Sequence, residues 1–129
     1  MEFVDANELI PIEPSVVRTQ VEHFINLLEE KRDSEIPPIR VLKVTDYVLV
    51  IDDGHNRAYA FIKMGRSKIP CKLVSLDSIP YYRQKLLQHF IKNILPNRIA
   101  NGIIGVENLP VDESPDNREE RTLIEQKSC

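Results

Sequence analysis

The chain has 129 residues, a formal net charge of −3 and 42% hydrophobic residues, the size and composition of one soluble globular domain rather than of a disordered chain. No apolar run approaches the roughly 20 residues that a membrane helix needs, and residues 1–5 lack the pattern of a secretory signal. Cys71 and Cys129 have no CxxC spacing, so neither a zinc site nor a disulfide scaffold is indicated. We expect a reduced, cytoplasmic protein.

The acidic excess lies at the C-terminal end. Residues 107–129 contain seven acidic residues against three basic ones, so residues 1–106 are close to neutral. Proteins that hold DNA through non-specific phosphate contacts are normally basic, and the charge therefore disfavours DNA as a partner. We predict one domain over residues 1–106, followed by an acidic, loosely attached tail over residues 107–129.

The first elements predicted are an extended segment and a helix. Residues 8–14 favour a short strand, and Pro11 and Pro14 confine it to the edge of a sheet because proline cannot donate to a strand ladder. Residues 19–22, TQVE, match a capping box and precede a stripe of apolar residues at helical spacing. A helix over about residues 19–32 is predicted.

A hairpin, a second helix and a further strand follow. Residues 39–44 alternate between apolar and polar types, and residues 47–51 are continuously apolar, which predicts a half-buried strand antiparallel to a buried central one. Residues 58–62 have a helical pattern, and Gly65 stands where a left-handed helix cap is expected. Residues 69–74 predict another strand.

The last predicted elements are less regular. A third helix is expected over about 79–95, stopped by Pro96, with a core-facing stripe of Tyr82, Leu86, Phe90 and Ile94. Residues 101–105 resemble a flexible joint, and residues 117–127 a short charged helix. Together these patterns predict an α+β fold, with a small mixed sheet and helices packed against it.

The segment Asp52-Asp53-Gly54-His55-Asn56-Arg57 carries the most chemistry, since it joins the buried strand to a helix. Gly54 permits a sharp turn and a close ligand approach, and the start of a helix favours an anion. Arg57 adds a forked cation suited to phosphate. The neighbouring carboxylates and imidazole are groups that bind magnesium or move protons. A phosphate site with acid–base or metal equipment is the functional interpretation.

A structural interpretation of the same features stays open. Asp and Gly are ordinary turn and cap residues between a strand and a helix, and a lone histidine is more often structural than catalytic. Cys71 is expected to be a small core residue, and His23 to face solvent. Residues 81–85, with two tyrosines, an arginine and a lysine, could touch nucleic acid, although a solvated helix face with Tyr82 in the core is favoured.

Residues 50–60, VIDDGHNRAYA, with Met64-Gly65 and residues 69–74, IPCKLV, resemble the ParB/sulfiredoxin superfamily. Its members have a dGHHRxxA or GERRxRA segment, then a helix ending in Gly, then xIPxxxV. The resemblance covers about residues 8–75 and implies a ParB/sulfiredoxin-like fold. Sulfiredoxins have a catalytic cysteine where His55 stands here.

Two other branches match better. Chromosome-partition ParB proteins bind CTP with a GERRxRA segment, of which Gly54, Arg57 and Ala60 are present. ParB-fold free serine kinases have DGHHR, the closest pattern, from which only Asn56 departs. Those kinases use a glutamate after the first strand as a base, and Glu13 stands at a similar place.

The resemblance and the segment together imply a nucleotide-binding domain with phosphotransfer or nucleotide-hydrolysing activity, for which a small hydroxyl compound is the candidate substrate. The nucleotide would be ATP, ADP or CTP with magnesium. The expected roles are phosphate binding by Gly54, His55, Asn56 and Arg57, magnesium binding by Asp52 and Asp53, and catalysis by Glu13 as base with Asp53 and His55.

Two alternatives remain. A metal-dependent ParB-like nuclease would use Glu13, Asp52, Asp53 and His55 to hold one or two cations that activate water. A non-catalytic nucleotide-sensing regulatory module would instead act on a partner through residues 107–129.

Overall fold

A computed structural model describes residues 1–102 and 105–113. The strands are β1 (Glu2–Asp5), β2 (Leu9–Ile10), β3 (Val16–Val17), β4 (Ile39–Thr45), β5 (Val48–Asp53), β6 (Lys68–Val74) and β7 (Val111–Asp112). The α-helices are α1 (Arg18–Glu29), α2 (His55–Lys63), α3 (Tyr81–His89) and α4 (Leu95–Asn101). Single 3₁₀ turns occupy Ala6–Glu8, Asp33–Glu35, Leu76–Ser78 and Val106–Asn108. None of the helices in these ranges has the length and apolar character needed to span a bilayer.

Five strands form one mixed sheet in the order β1-β6-β4-β5-β2. The predicted hairpin is confirmed, because β4 and β5 pair antiparallel with Val41 opposite Ile51. β6 lies parallel to β4 and antiparallel to β1. β2 pairs with β5 alone, at the sheet edge where the following proline predicted it. The predicted α+β architecture is therefore confirmed.

Helices cover both faces of this sheet. Successive residues of a strand point to opposite faces, so neighbouring residues of β5 contact different helices. Ile51 of β5 packs in a cluster with α1 and α2, whereas its neighbour Val50 packs with α3 and α4. Cys71 lies in the first cluster and is fully buried, as predicted. Burial, with a smaller contribution from the charge of Glu2, raises the pKa of the Cys71 thiol to about 11.

The start of α1 differs from the prediction. The helix begins at Arg18, and Val17 is its N-cap residue without a side-chain hydrogen bond. Thr19 therefore lies inside the first turn of the helix, whereas the capping-box pattern predicted it to be the N-cap residue. The helix ends at Glu29, short of residue 32, because Lys31 adopts a left-handed conformation with φ 59°. His23 is exposed, as predicted.

The predicted apolar stripe of the third helix is wrong at Tyr82, Leu86 and Ile94, and is confirmed at Phe90. Tyr82 and Leu86 are exposed, and the buried residues are Leu87, Phe90 and Leu95. A π-helical turn over Phe90–Ile94 separates α3 from α4, and its wider turn places Leu95 rather than Ile94 in line with Phe90. Before this turn, Leu87 rather than Leu86 is the buried residue of α3. Pro96 does not stop the helix, because it lies in the first turn of α4. Backbone amides in the first turn of a helix have no acceptor within the helix, so the missing amide hydrogen of proline costs nothing there.

Residues after 106 also pack against the domain that was predicted to span residues 1–106. Val106 and Leu109 belong to the main core cluster, and β7 pairs parallel with β3. Arg18 and Glu113 form an exposed ion pair beside this two-stranded sheet. The predicted charged helix over 117–127, and part of the predicted joint, lie outside the described residues.

Candidate functional site

The turn between β5 and α2 is built on Gly54, the N-cap residue of α2, in a left-handed conformation with φ 115°. A Cβ atom there would lie 2.9 Å from Nη2 of Arg57 and 3.0 Å from Cγ1 of Ile39. Only glycine avoids both the conformational cost and these contacts. The turn leaves the first amides of α2 at the helix end, where they have no partner within the helix.

A cleft of about 730 Å³ opens over this turn, a volume typical of small-molecule sites. Its polar lining comes from the β5–α2 turn, the β2–β3 loop and two helices, and includes Glu13, Gln20, Asp53, His55, Arg57 and Arg83. Its apolar lining includes Phe24 of α1 together with Tyr82 and Leu86 of α3. All seven of the sequence-predicted site residues border this cleft.

His55 binds the backbone of the β2–β3 loop. Its Nε2 accepts hydrogen bonds from the amide of Ile12 at 3.0 Å and from the amide of Glu13 at 3.3 Å. The two donors assign the ring proton to Nδ1. In this arrangement Nε2 carries no proton to give to a phosphate, and the imidazole instead fixes the loop that carries Glu13.

Asn56 has a similar backbone contact. Its Oδ1 accepts a hydrogen bond of 2.8 Å from the amide of Val17 in β3, and the residue is buried. The side-chain oxygen therefore holds the start of α1 against the start of α2. The oxygen is therefore engaged by the protein, and the groups of Asn56 that could donate to a ligand are its Nδ2 and its backbone amide in the first turn of α2.

The guanidinium of Arg57 binds other groups of the protein. Its Nη1 donates to the carbonyl oxygens of Pro37 at 3.0 Å and Pro38 at 3.2 Å. Its Nη2 lies 3.2 Å from Oδ2 of Asp53, whose side chain is exposed. The guanidinium thus joins the approach to β4 to the turn, and Asp53 lies at the rim of the cleft.

Asp52 is the buried charge of the site, with a side chain 2% exposed. Nη2 of Arg83 lies 2.9 Å from its Oδ1 and also donates to its backbone carbonyl. Nε of Arg40 lies 3.5 Å from its Oδ2. These are ion pairs by distance, but neither Asp52 Oδ1 nor Arg40 Nε has a hydrogen-bond partner within the described residues. Two cations compensate one carboxylate, which leaves a net positive charge behind the cleft wall.

Glu13 is the half-buried carboxylate of the β2–β3 loop. Its amide is held by His55, while its side chain has no ion pair or hydrogen bond in the described part of the chain. Among residues 1–102 and 105–113, no group of three or more His, Cys, Asp or Glu side chains is placed to hold a metal ion. The four residues expected for a nuclease metal site therefore do not form such a cluster.

Sequence reasoning missed the contributions of Arg40 and Arg83 to this site. Arg83 stood in the tyrosine-rich segment that suggested a solvated helix face, 31 residues from Asp52. The available signal was a buried aspartate at the end of an apolar strand, since such a charge requires a compensating cation. The identity of that cation could not be read from spacing.

No protein-family model matches the chain, and no curated protein matches it. Its fold is similar to that in the crystal structure of protein Atu1540 from Agrobacterium tumefaciens. The TM-score is 0.58 at 14% sequence identity, over 98% of this chain and 68% of that one. At this identity the similarity is one of fold alone, consistent with the α+β architecture.

Proposed function

We propose that the cleft binds a nucleotide through its phosphates, together with magnesium, and supports phosphoryl transfer or nucleotide hydrolysis. The observation that carries this proposal is the meeting of three features on one small cleft: the N-terminus of α2 after Gly54, the guanidinium of Arg83 and the carboxylate of Glu13. Phosphoryl transfer depends mainly on positioning and charge stabilisation, and these groups supply both.

The phosphates would bind at the first amides of α2, with Arg83 as the cation. Helix N-termini bind phosphate through free amides and the helix dipole. Only Nη2 of Arg83 is engaged within the described residues, so Nε and Nη1 can serve a ligand. Arg57, whose Nη1 is held by two carbonyls, would shape the turn and not contact the phosphate.

Magnesium would arrive with the nucleotide. This ion keeps several waters and binds through one or two carboxylates plus phosphate oxygens, so it needs no three-residue cluster. Asp53 at the rim is the carboxylate suited to this role, because Asp52 is buried against two arginines. The carboxylates that line the cleft neutralise the charges of the arginines beside them, so the cleft is not strongly positive. A nucleotide that brings its own magnesium ion suits such a cleft better than nucleic acid does.

Glu13 would act as the general base. A base must lie within hydrogen-bond reach of the proton that it removes, and Glu13 has a side chain without a partner in the described region, on a loop fixed by His55. A small hydroxyl compound is the acceptor that such a base would activate; water in its place would give hydrolysis.

Membership of the ParB/sulfiredoxin superfamily forms part of this proposal. The support is the position of the GHNR sequence, which begins at Gly54 in the turn and continues into α2, as well as Gly65, which follows α2 with a φ of 78°. These are the places that the family's pattern gives to its conserved segment and glycine.

A nucleotide-sensing module without turnover is the second candidate. It is favoured by the engagement of His55 Nε2 with backbone amides and of Asp53 with Arg57, which leaves Glu13 as the one predicted catalytic residue whose side chain has no partner in the described residues. Such a module would bind nucleotide in the same cleft and would not hydrolyse it.

Calorimetric titration with ATP, ADP and CTP, each with and without magnesium, tests the proposal. We expect binding that Arg83→Met weakens about 10- to 100-fold, the range for a charged hydrogen bond. The matched control is Arg66→Met, because Arg66 pairs with Asp33 on the surface away from the cleft. Circular dichroism establishes that each variant is folded. Absence of binding to all three nucleotides would overturn the proposal.

A further inference from the structure

The apolar side of the cleft includes two exposed side chains of α3. Tyr82 is 69% exposed and Leu86 is 66% exposed. The two residues are four positions apart on α3 and so share one face of the helix, whereas Leu87 provides its buried contact. Both line the cleft, as does Phe24 of α1. We call Tyr82 and Leu86 the shelf.

The shelf is tied to the polar end of the cleft. Arg83, the residue after Tyr82, contacts both the side chain and the backbone carbonyl of Asp52. Asp52 stands two residues before Gly54, so this contact fixes α3 relative to the amides of α2. The cleft thus presents an anion-binding end and an apolar end on one rigid frame.

We propose that the shelf receives the base of the bound nucleotide, which stacks on the ring of Tyr82 while the phosphates lie at the start of α2. This inference rests on the proposed function. A planar base offers an aromatic face and an apolar area to such a surface, which an inorganic polyphosphate or a sugar phosphate lacks. The ligand class is therefore a nucleoside di- or triphosphate. The cleft volume of about 730 Å³ suits a small molecule of this kind.

Tyr81 supplies a matched control on the neighbouring position. It is 71% exposed, nearly the same as Tyr82, but it lies outside the cleft lining and contacts the ammonium group of Lys85. Truncation of either tyrosine removes nearly the same amount of exposed aromatic surface from the same helix. Only truncation of Tyr82 removes the aromatic ring of the shelf.

The experiment compares MgATP, MgCTP and magnesium tripolyphosphate by calorimetric titration of the full chain. We expect Tyr82→Ala to weaken nucleotide binding about 5- to 100-fold, the range for stacking of one base, and to leave tripolyphosphate binding unchanged. Tyr82→Phe, which keeps the ring, is expected to stay within about 3-fold of the wild type, and Tyr81→Ala likewise.

The outcomes separate this inference from the proposed function. If the wild-type protein binds neither the nucleotides nor tripolyphosphate, both proposals fail. If tripolyphosphate binds as tightly as the nucleotides, the phosphate site stands and the shelf is refuted. The shelf is also refuted if Tyr82→Ala leaves nucleotide binding unchanged, if it weakens tripolyphosphate binding equally, or if Tyr82→Phe loses as much affinity as Tyr82→Ala.

Discussion

Nη2 of Arg83 lies 2.9 Å from Oδ1 of Asp52, a carboxylate that is almost completely buried. The pair joins the first turn of α3 to the end of β5, two elements whose paired groups are 31 residues apart in the sequence. Arg40, on the neighbouring strand β4, approaches the other carboxylate oxygen at 3.5 Å. One buried charge thus holds together the strand end, the turn and the helix that border the cleft.

Removal of Arg83 is expected to destabilise the fold. Arg83→Met leaves Asp52 buried beside Arg40 alone, and loss of one partner of a buried pair costs about 3–5 kcal/mol when no other cation remains. With Arg40 still present, we expect the free energy of unfolding in urea to fall by about 2–3 kcal/mol. Arg66→Met, which breaks a surface pair with Asp33, should change it by less than about 1 kcal/mol.

A double-mutant cycle shows whether the buried charge causes this loss. Asp52→Asn combined with Arg83→Met removes the buried carboxylate that has lost one of its two cations, so the double variant should be less destabilised than the sum of the single variants. Additive effects would mean that Arg83 stabilises the fold through packing and not through its pair with Asp52.

Gly54→Ala is expected to disrupt the turn more than the same change at Gly65. Both glycines have positive φ, 115° and 78°, which costs an alanine about 1–2 kcal/mol. At Gly65 a Cβ meets no atom within 4 Å, whereas at Gly54 it meets Arg57 and the fully buried Ile39. Urea denaturation should show a loss of about 1 kcal/mol for Gly65→Ala and about 2–4 kcal/mol for Gly54→Ala. Equal losses would refute the close approach at the turn.

His55→Ala is expected to loosen the β2–β3 loop. The part-buried amides of Ile12 and Glu13 would lose the imidazole acceptor, at a cost of about 1–2 kcal/mol. Amide hydrogen exchange measured by NMR should show faster exchange at these two positions. His23→Ala, on the exposed face of α1, is the control and should leave them unchanged. Unchanged exchange in His55→Ala would exclude the positioning role.

The strand–turn–helix unit could be predicted because its signals are local. A continuous apolar run gave β5, and Gly54 marked the turn. The end of the third helix could not be predicted correctly, because the π-helical turn at Phe90–Ile94 changes the helical phase, whereas periodicity assumes a constant one. Tyr82 was placed in the core, although it lies on the cleft, because apolar residues stand at both 86 and 87 and the spacing does not show which of them is buried.

The roles of the site residues depend on partners distant in sequence. His55 and Asn56, predicted to bind phosphate, line the cleft, yet their acceptor atoms bind amides 39 to 43 residues earlier. No pattern around residue 55 specifies which loop will pack there. Local sequence could thus predict where the cleft forms, but not which of its polar atoms are already engaged by the protein.

Glu13→Gln separates an enzyme from a nucleotide sensor. In an enzyme, loss of the base should lower turnover by about 10²- to 10⁴-fold, while nucleotide affinity stays within a few-fold because Glu13 is not among the proposed phosphate-binding groups. Phosphate release and transfer to added hydroxyl compounds would be measured with MgATP and MgCTP. Glu29→Gln, at the exposed end of α1, is the control and should keep full turnover. A wild-type protein that binds nucleotide without any turnover would instead identify the sensor. Equal turnover in Glu13→Gln and the wild type would remove Glu13 from the mechanism.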